Sequence, residues 1–244
     1  MIVAAGAPCV ARAREPMARF SAYQRNRLAN VGLSILVALL LFDVTIIGPL
    51  EELGVVSRHL GEAGLALVLL AGVAALSWRN AVVRLFILVS LASIAVSLAN
   101  LVLPDTTLRL TDTLLTMTGL ALLAALVLWQ VFPPGRIDVY RILGAIAAYL
   151  LIGLLFAQVF RLIAQWVPGA FLLHGAPLDY DRVVPLFRYY SFVTLTTLGF
   201  GDLSPVHPLA RSMTVLEALI GVLYPAVLIA RLVSLERPEP HPAE

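Results

Sequence analysis

Long runs without a single charged residue follow one another along this chain, and no other feature limits its fold so strongly. From Leu85 to Pro104 there is no charge, and Thr113 to Gly135 and Ile142 to Phe160 are likewise uncharged. Between Asn30 and Leu50 the only charge is Asp43. A bilayer core takes ~20 apolar residues per helix, and these runs supply that length repeatedly. The 244 residues are 60% hydrophobic and 13% charged, whereas a soluble domain is roughly half apolar and a quarter charged. The expected class is an all-α polytopic membrane protein.

Six spans are expected, at about Ala29–Leu50, Leu60–Trp78, Ala81–Leu103, Leu110–Phe132, Val139–Gln165 and Pro208–Leu235. The second is the weakest, with 16 uncharged residues between Glu62 and Arg79. Eleven Arg fall in the joints and tails on one side, including Arg79, Arg84, Arg136 and Arg141, against five on the other. The positive-inside rule then puts both termini in the cytoplasm of a multi-pass cell-membrane protein. Residues 1–29 read as a basic tail, because the apolar Ile2–Val10 precedes the charges and does not follow them as in a signal peptide. A start at Met17 would remove nothing that looks structured. Residues 237–244 are too short and Pro-rich to fold.

Other functions lose ground on the same residues. There is no Lys, and the 17 Arg are scattered rather than striped, so no nucleic-acid surface is expected. Cys9 is the single cysteine, and His59, His174, His207 and His241 are far apart, so no metal cluster or organic cofactor is expected. No nucleophile–base pair points to an enzyme.

One segment breaks the pattern of spans. Pro168-Gly169 should end the fifth helix, and Leu178 to Arg188 reads as a mixed, charged loop. Tyr189 to Gly201 then runs 13 residues without a charge, too short to span and too apolar for an ordinary loop. Non-helical backbone survives at membrane depth only where protein buries it or it lines water. A re-entrant half-helix followed by an extended strand satisfies that rule.

Ser191 to Pro205, reading Ser-Phe-Val-Thr-Leu-Thr-Thr-Leu-Gly-Phe-Gly-Asp-Leu-Ser-Pro, resembles the pore helix and selectivity filter of potassium channels, whose usual filter is Thr-Val-Gly-Tyr-Gly-Asp. The resemblance extends from about Val139 to Leu235. It implies a tail at 1–29, a four-helix membrane domain at 30–134, a pore domain at 135–236 and a tail at 237–244. It implies ion sites at Thr197, Leu198, Gly199, Phe200 and Gly201, with potassium held by the backbone carbonyls of Thr197, Leu198, Gly199 and Phe200. Tyr189, Tyr190, Thr196 and Asp202 would support the filter and its outer mouth, with Leu198 and Phe200 packing against the pore helix. Carbonyls replace the hydration shell of the ion, and they face one axis only if alternate residues adopt left-handed φ, which Gly199 and Gly201 allow. A closed ring needs four copies, so a homotetramer in lipid is the expected assembly, with no soluble partner inferable. Phe200 for Tyr and Leu198 for Val are departures from the usual filter, and Val193 stands where some members carry an acid.

The fourth helix has no Arg or Lys between Leu114 and Phe132, so no voltage sensor of the Arg-rich kind is expected. Asp43 is an acid within a span and needs a partner; Arg84 and threonines such as Thr113 and Thr116 are the candidates. Glu217 either lies behind the filter, bonding the pore helix or filter backbone, or lines the cavity; its place one turn before Gly221 favours the first. Pro225 lacks an N–H and releases the carbonyl of Gly221, so the two residues together are read as a gating hinge. A secondary cation transporter and a non-conducting regulatory subunit are the alternatives; the first would show internal repeats, and the second would not need Gly199 and Gly201.

Overall fold

The computed structural model describes residues 31–55, 58–75, 81–102, 105–131, 139–177, 180 and 184–235. Both expected tails and the joint between the fourth and fifth helices lie outside these residues. Seven helices are described. They are α1 (Val31–Glu52), α2 (Arg58–Ala75), α3 (Ala81–Val102), α4 (Thr106–Val131), α5 (Val139–Trp166), α6 (Leu186–Leu195) and α7 (Pro208–Leu235). Three short strands accompany them: β1 (Phe171–Leu173), β2 (Ala176–Pro177) and β3 (Leu203–Pro205).

The chain is an all-α polytopic membrane protein: α1, α3, α4, α5 and α7 are each long and apolar enough to cross a bilayer. The second expected span, Leu60–Trp78, falls on α2, which is described only as far as Ala75. Its 18 residues give about 27 Å of rise, and Arg58 and Glu62 both occupy its first turns. The remaining helices fall within a few residues of their expected bounds, α7 at both ends.

α5 organises the packing. Its N-terminal half, from Ala145 to Leu154, joins one buried cluster with Leu36 and Leu40 of α1, Leu65 and Leu69 of α2, Phe86 of α3 and Leu120 and Leu123 of α4. Its C-terminal half contributes Phe156, Phe160 and Ile163 to a second cluster with Phe171, Phe187, Tyr190, Leu203 and Ala210. Of its spanning stretch, 61% is buried inside the chain, against 11% for α7. In a bilayer apolar burial drives helix association weakly, so close van der Waals packing has to do it.

A small sheet was not anticipated from sequence. The order is β2-β1-β3, antiparallel throughout, with Leu172 opposite Ser204 and Leu173 opposite Leu203. Strands of two and three residues carry no readable alternation, and the pairing joins segments some thirty residues apart. A second difference concerns α6, which starts at Leu186, so that Arg188 belongs to a helix and not to the preceding loop.

Close approach of α5 and α6 depends on Gly153. A Cβ there would stand 2.7 Å from Cζ of Phe192, so the ring would have to shift. Gly153→Ala is expected to destabilise the folded protein by about 1–3 kcal/mol, read as a lower melting temperature in detergent. Phe192→Leu in the same chain should recover part of the loss.

Candidate functional site

The 196–202 loop is defined by where its backbone hydrogen bonds go. At the end of α6, Val193 O accepts from Leu198 N (2.9 Å) and Gly199 N (3.4 Å), and Thr194 O accepts from Thr197 N (2.9 Å). Thr196 N bonds Phe192 O at 3.0 Å, and the Thr196 hydroxyl bonds the same carbonyl at 2.6 Å. The loop's amides thus satisfy the last carbonyls of the helix, groups that any helix C-terminus leaves over. The far end is held by the sheet: His174 N donates to Asp202 O at 2.8 Å, and Leu203 enters β3.

Between these anchors the backbone alternates in hand. Thr197, Gly199 and Gly201 have φ of 60°, 56° and 77°. Alternation of this kind turns successive carbonyls to one side. Left-handed φ at the two glycines follows from their lacking a Cβ. At Thr197 it is a true outlier, since a β-branched residue there stores about 1–3 kcal/mol of strain. Among the described residues no protein donor reaches the carbonyls of Thr197, Leu198, Gly199 or Phe200. A row of unpaired backbone oxygens remains, able to take a cation.

The side chains around the loop divide by helix face. Tyr189 stacks on Phe200, with ring centroids 6.5 Å apart and planes 6° from parallel. Loss of hydration and the nearby Asp202 carboxylate push the Tyr189 phenol up to about 12, so it keeps its proton. Tyr190, one residue on, turns to the opposite face. It packs against Phe160 and Phe171 and meets the Thr214 hydroxyl at 2.7 Å. The expected aromatic pair around the loop is therefore a single residue, because neighbours on an α-helix point ~100° apart. Leu198 is 61% exposed and Phe200 66%, so their expected burial is not completed within one chain.

Behind the loop, α5, α6 and α7 meet at a polar node that sequence reading found only in part. Glu217 on α7 is fully buried. Ser191 on α6 hydrogen-bonds Glu217 Oε1 and lies 2.6 Å from Gly153 O of α5. A hydroxyl has one proton, which these two oxygens of α5 and α7 share. Tyr149 of α5 donates to Leu195 O at 3.2 Å, and Tyr224 of α7 donates to Ala145 O at 2.8 Å. Ser191 and Tyr149 carried no signal in the sequence, because a single hydroxyl in an apolar helix is unremarkable until its neighbour is known.

One expectation needs correction and another gains a second aspect. Gly221, expected as a hinge, also packs closely: a Cβ there would lie 1.9 Å from Leu195 O, so the contact between α7 and the end of α6 requires glycine. α7 also runs unbroken as an α-helix through Pro225. Asp43 pairs with neither Arg84 nor the threonines. Arg84 is exposed, Thr116 meets Ser93 at 2.9 Å, and Thr113 bonds Arg109 O and Gln165. Its partner is Arg188 of α6, 145 positions away, at 3.4 Å.

Residues 185–237 match a family model described as ion channel, covering α6, the 196–202 loop, β3 and α7. No curated protein and no solved structure matches the chain. The matched segment is similar to ion-channel domains, a likeness that supports passive ion conduction through a membrane.

Glu217→Gln, which keeps a donor for Ser191, is expected to fold and melt like the parent protein. Glu217→Ala should destabilise by about 1–3 kcal/mol, because it leaves a cavity and removes the bond that ties α7 to Ser191. Gly221→Ala should cost more than either, since the atom it strikes is backbone. Thermal melts of the purified proteins in one detergent compare all three.

Proposed function

We propose that this chain is the subunit of a potassium-selective channel in which four copies surround one conduction path. The observation that carries the reading is the row of carbonyls from Thr197 to Phe200, aligned by alternating left-handed φ and without protein donors. Unsatisfied backbone oxygens are costly at membrane depth, and a dehydrated cation is the ligand that satisfies several at once. One chain offers one row, and a ring of them requires further copies. Exposed Val215, Leu216, Leu219, Val222 and Leu223 on α7, with Leu198 and Phe200 beside the loop, leave the surface such copies would cover. Thr197 adds a hydroxyl below the carbonyl rows, and Asp202, at the end of the loop, sits where a carboxylate ring would concentrate cations.

On this reading both termini are cytoplasmic and opening depends weakly on voltage. The one basic residue of α4 is Arg109 in its first turn, so no ladder of gating charge can cross the field. Pro225, which leaves the Gly221 carbonyl without a helical donor, sets the open–closed balance, while Gly221 itself is fixed by packing.

Protein reconstituted in liposomes should pass potassium far faster than sodium, and Gly199→Ala should abolish the flux. Equal sodium and potassium permeability in the parent protein would overturn the selectivity. Pro225→Ala, by restoring the bond, should lower open probability in single-channel records with selectivity intact; unchanged open probability would make the proline a matter of architecture only.

A further inference from the structure

An ionised carboxylate within a span is expensive unless it is paired, so the surroundings of Asp43 carry information. Pro49 has no N–H, and its ring crowds the carbonyl of Thr45. Just upstream α1 widens into a π turn, Asp43–Ile47, in which the Gly48 N–H bonds Asp43 O. π turns are uncommon and concentrate at functional positions. The Asp43 side chain, 2% exposed, lies under Gly64 of α2, where a Cβ would be 2.6 Å from Oδ1. It faces Arg188, whose Nε stands 3.4 Å from Asp43 Oδ2 and whose Nη1 stands 3.4 Å from Glu51 Oε2. One guanidinium from the first turn of α6 is thus held by two carboxylates of α1.

Packing of α1 against α6 is incomplete. Beside their contact at Gly48 and Arg188 lies a cavity of about 300 Å³, lined by Val44, Pro49, Phe192, Val193, Thr196 and Leu198. The last two belong to the 196–202 loop, so the wall of this cavity runs from α1 to the loop. Across that gap the charged bridge through Arg188 sets the spacing.

We propose that Asp43 and Glu51, acting through Arg188, make the first helix a regulator of the conducting loop, so that the first four helices govern ion flow at the filter. This rests on the channel reading above. Asp43, Glu51 and Arg188 are positioning residues: none lies on the ion path. Asp43 and Arg188 should act as one unit, because a buried ion left alone costs more than the loss of both partners.

Single-channel recording of the full-length protein in planar bilayers tests this with Asp43→Asn, Arg188→Met and the double variant. Each single variant should lower open probability. The double variant should exceed the product of the two single effects by about fivefold or more. Potassium binds the conducting loop in preference to a collapsed one, so raising external potassium should restore opening in the single variants by mass action. Multiplicative single effects, or a loss that external potassium leaves untouched, would overturn the proposal. Should the Asp43 or Arg188 variants fail to assemble, Glu51→Gln removes the less buried arm and should show the same potassium-relieved loss; unchanged opening there overturns it too. Parent protein without potassium flux would instead overturn the channel reading, and that measurement precedes any variant.

Discussion

A backbone carbonyl inside a bilayer must find a partner, and the architecture of this protein follows from how that requirement is met. In the spanning helices each carbonyl is served four residues on. The 196–202 loop cannot do this, and the amides of its first four residues, Thr196 to Gly199, are already committed to the end of α6. What remains is a row of oxygens whose partner has to come from outside the chain. Every neighbouring element bears on keeping that row in place: the helix end that takes the amides, the sheet that holds Asp202, and the aromatic stack of Tyr189 on Phe200.

α5 is the spine on which this is mounted. One half of it faces the cluster built by α1 to α4, and the other half faces α6, β1, β3 and α7. Close approach requires glycine at the contact points, so Gly153 and Gly221 serve packing where a sequence reader sees flexibility. Between them the Ser191–Glu217 node ties three helices together just behind the loop. Ser191 serves Oε1 of the acid, while its buried Oε2 meets no hydrogen-bond partner among the described residues.

The buried charges divide into separate sets. Asp112 and Arg161 pair at 3.9 Å where α4 meets α5, alongside a hydrogen bond from Arg161 to Tyr180. Asp43, Glu51 and Arg188 join α1 to α6. Both sets link the first four helices to the segment that bears the loop, each through charge as well as shape. In a medium where apolar contact gives little preference, such pairs specify which helix lies against which.

What the sequence determined by itself was whatever depends on neighbours in the chain. The bilayer class, the bounds of α5 and α7, the break after Trp166 and the glycines of the loop are local consequences of apolar runs, charge and missing Cβ atoms. Even the Asp43 anomaly was visible, since a charge in a span declares itself. Its partner was not, because the 145 positions between it and Arg188 hold no pattern that pairs them. The same holds for the small sheet, for Tyr190 turning from the loop, for Gly221 as a packing contact and for the left-handed Thr197. Those were decided by tertiary structure alone, for they arise where surfaces from distant segments meet, and a string of residues does not encode which surfaces those will be until the helices are packed.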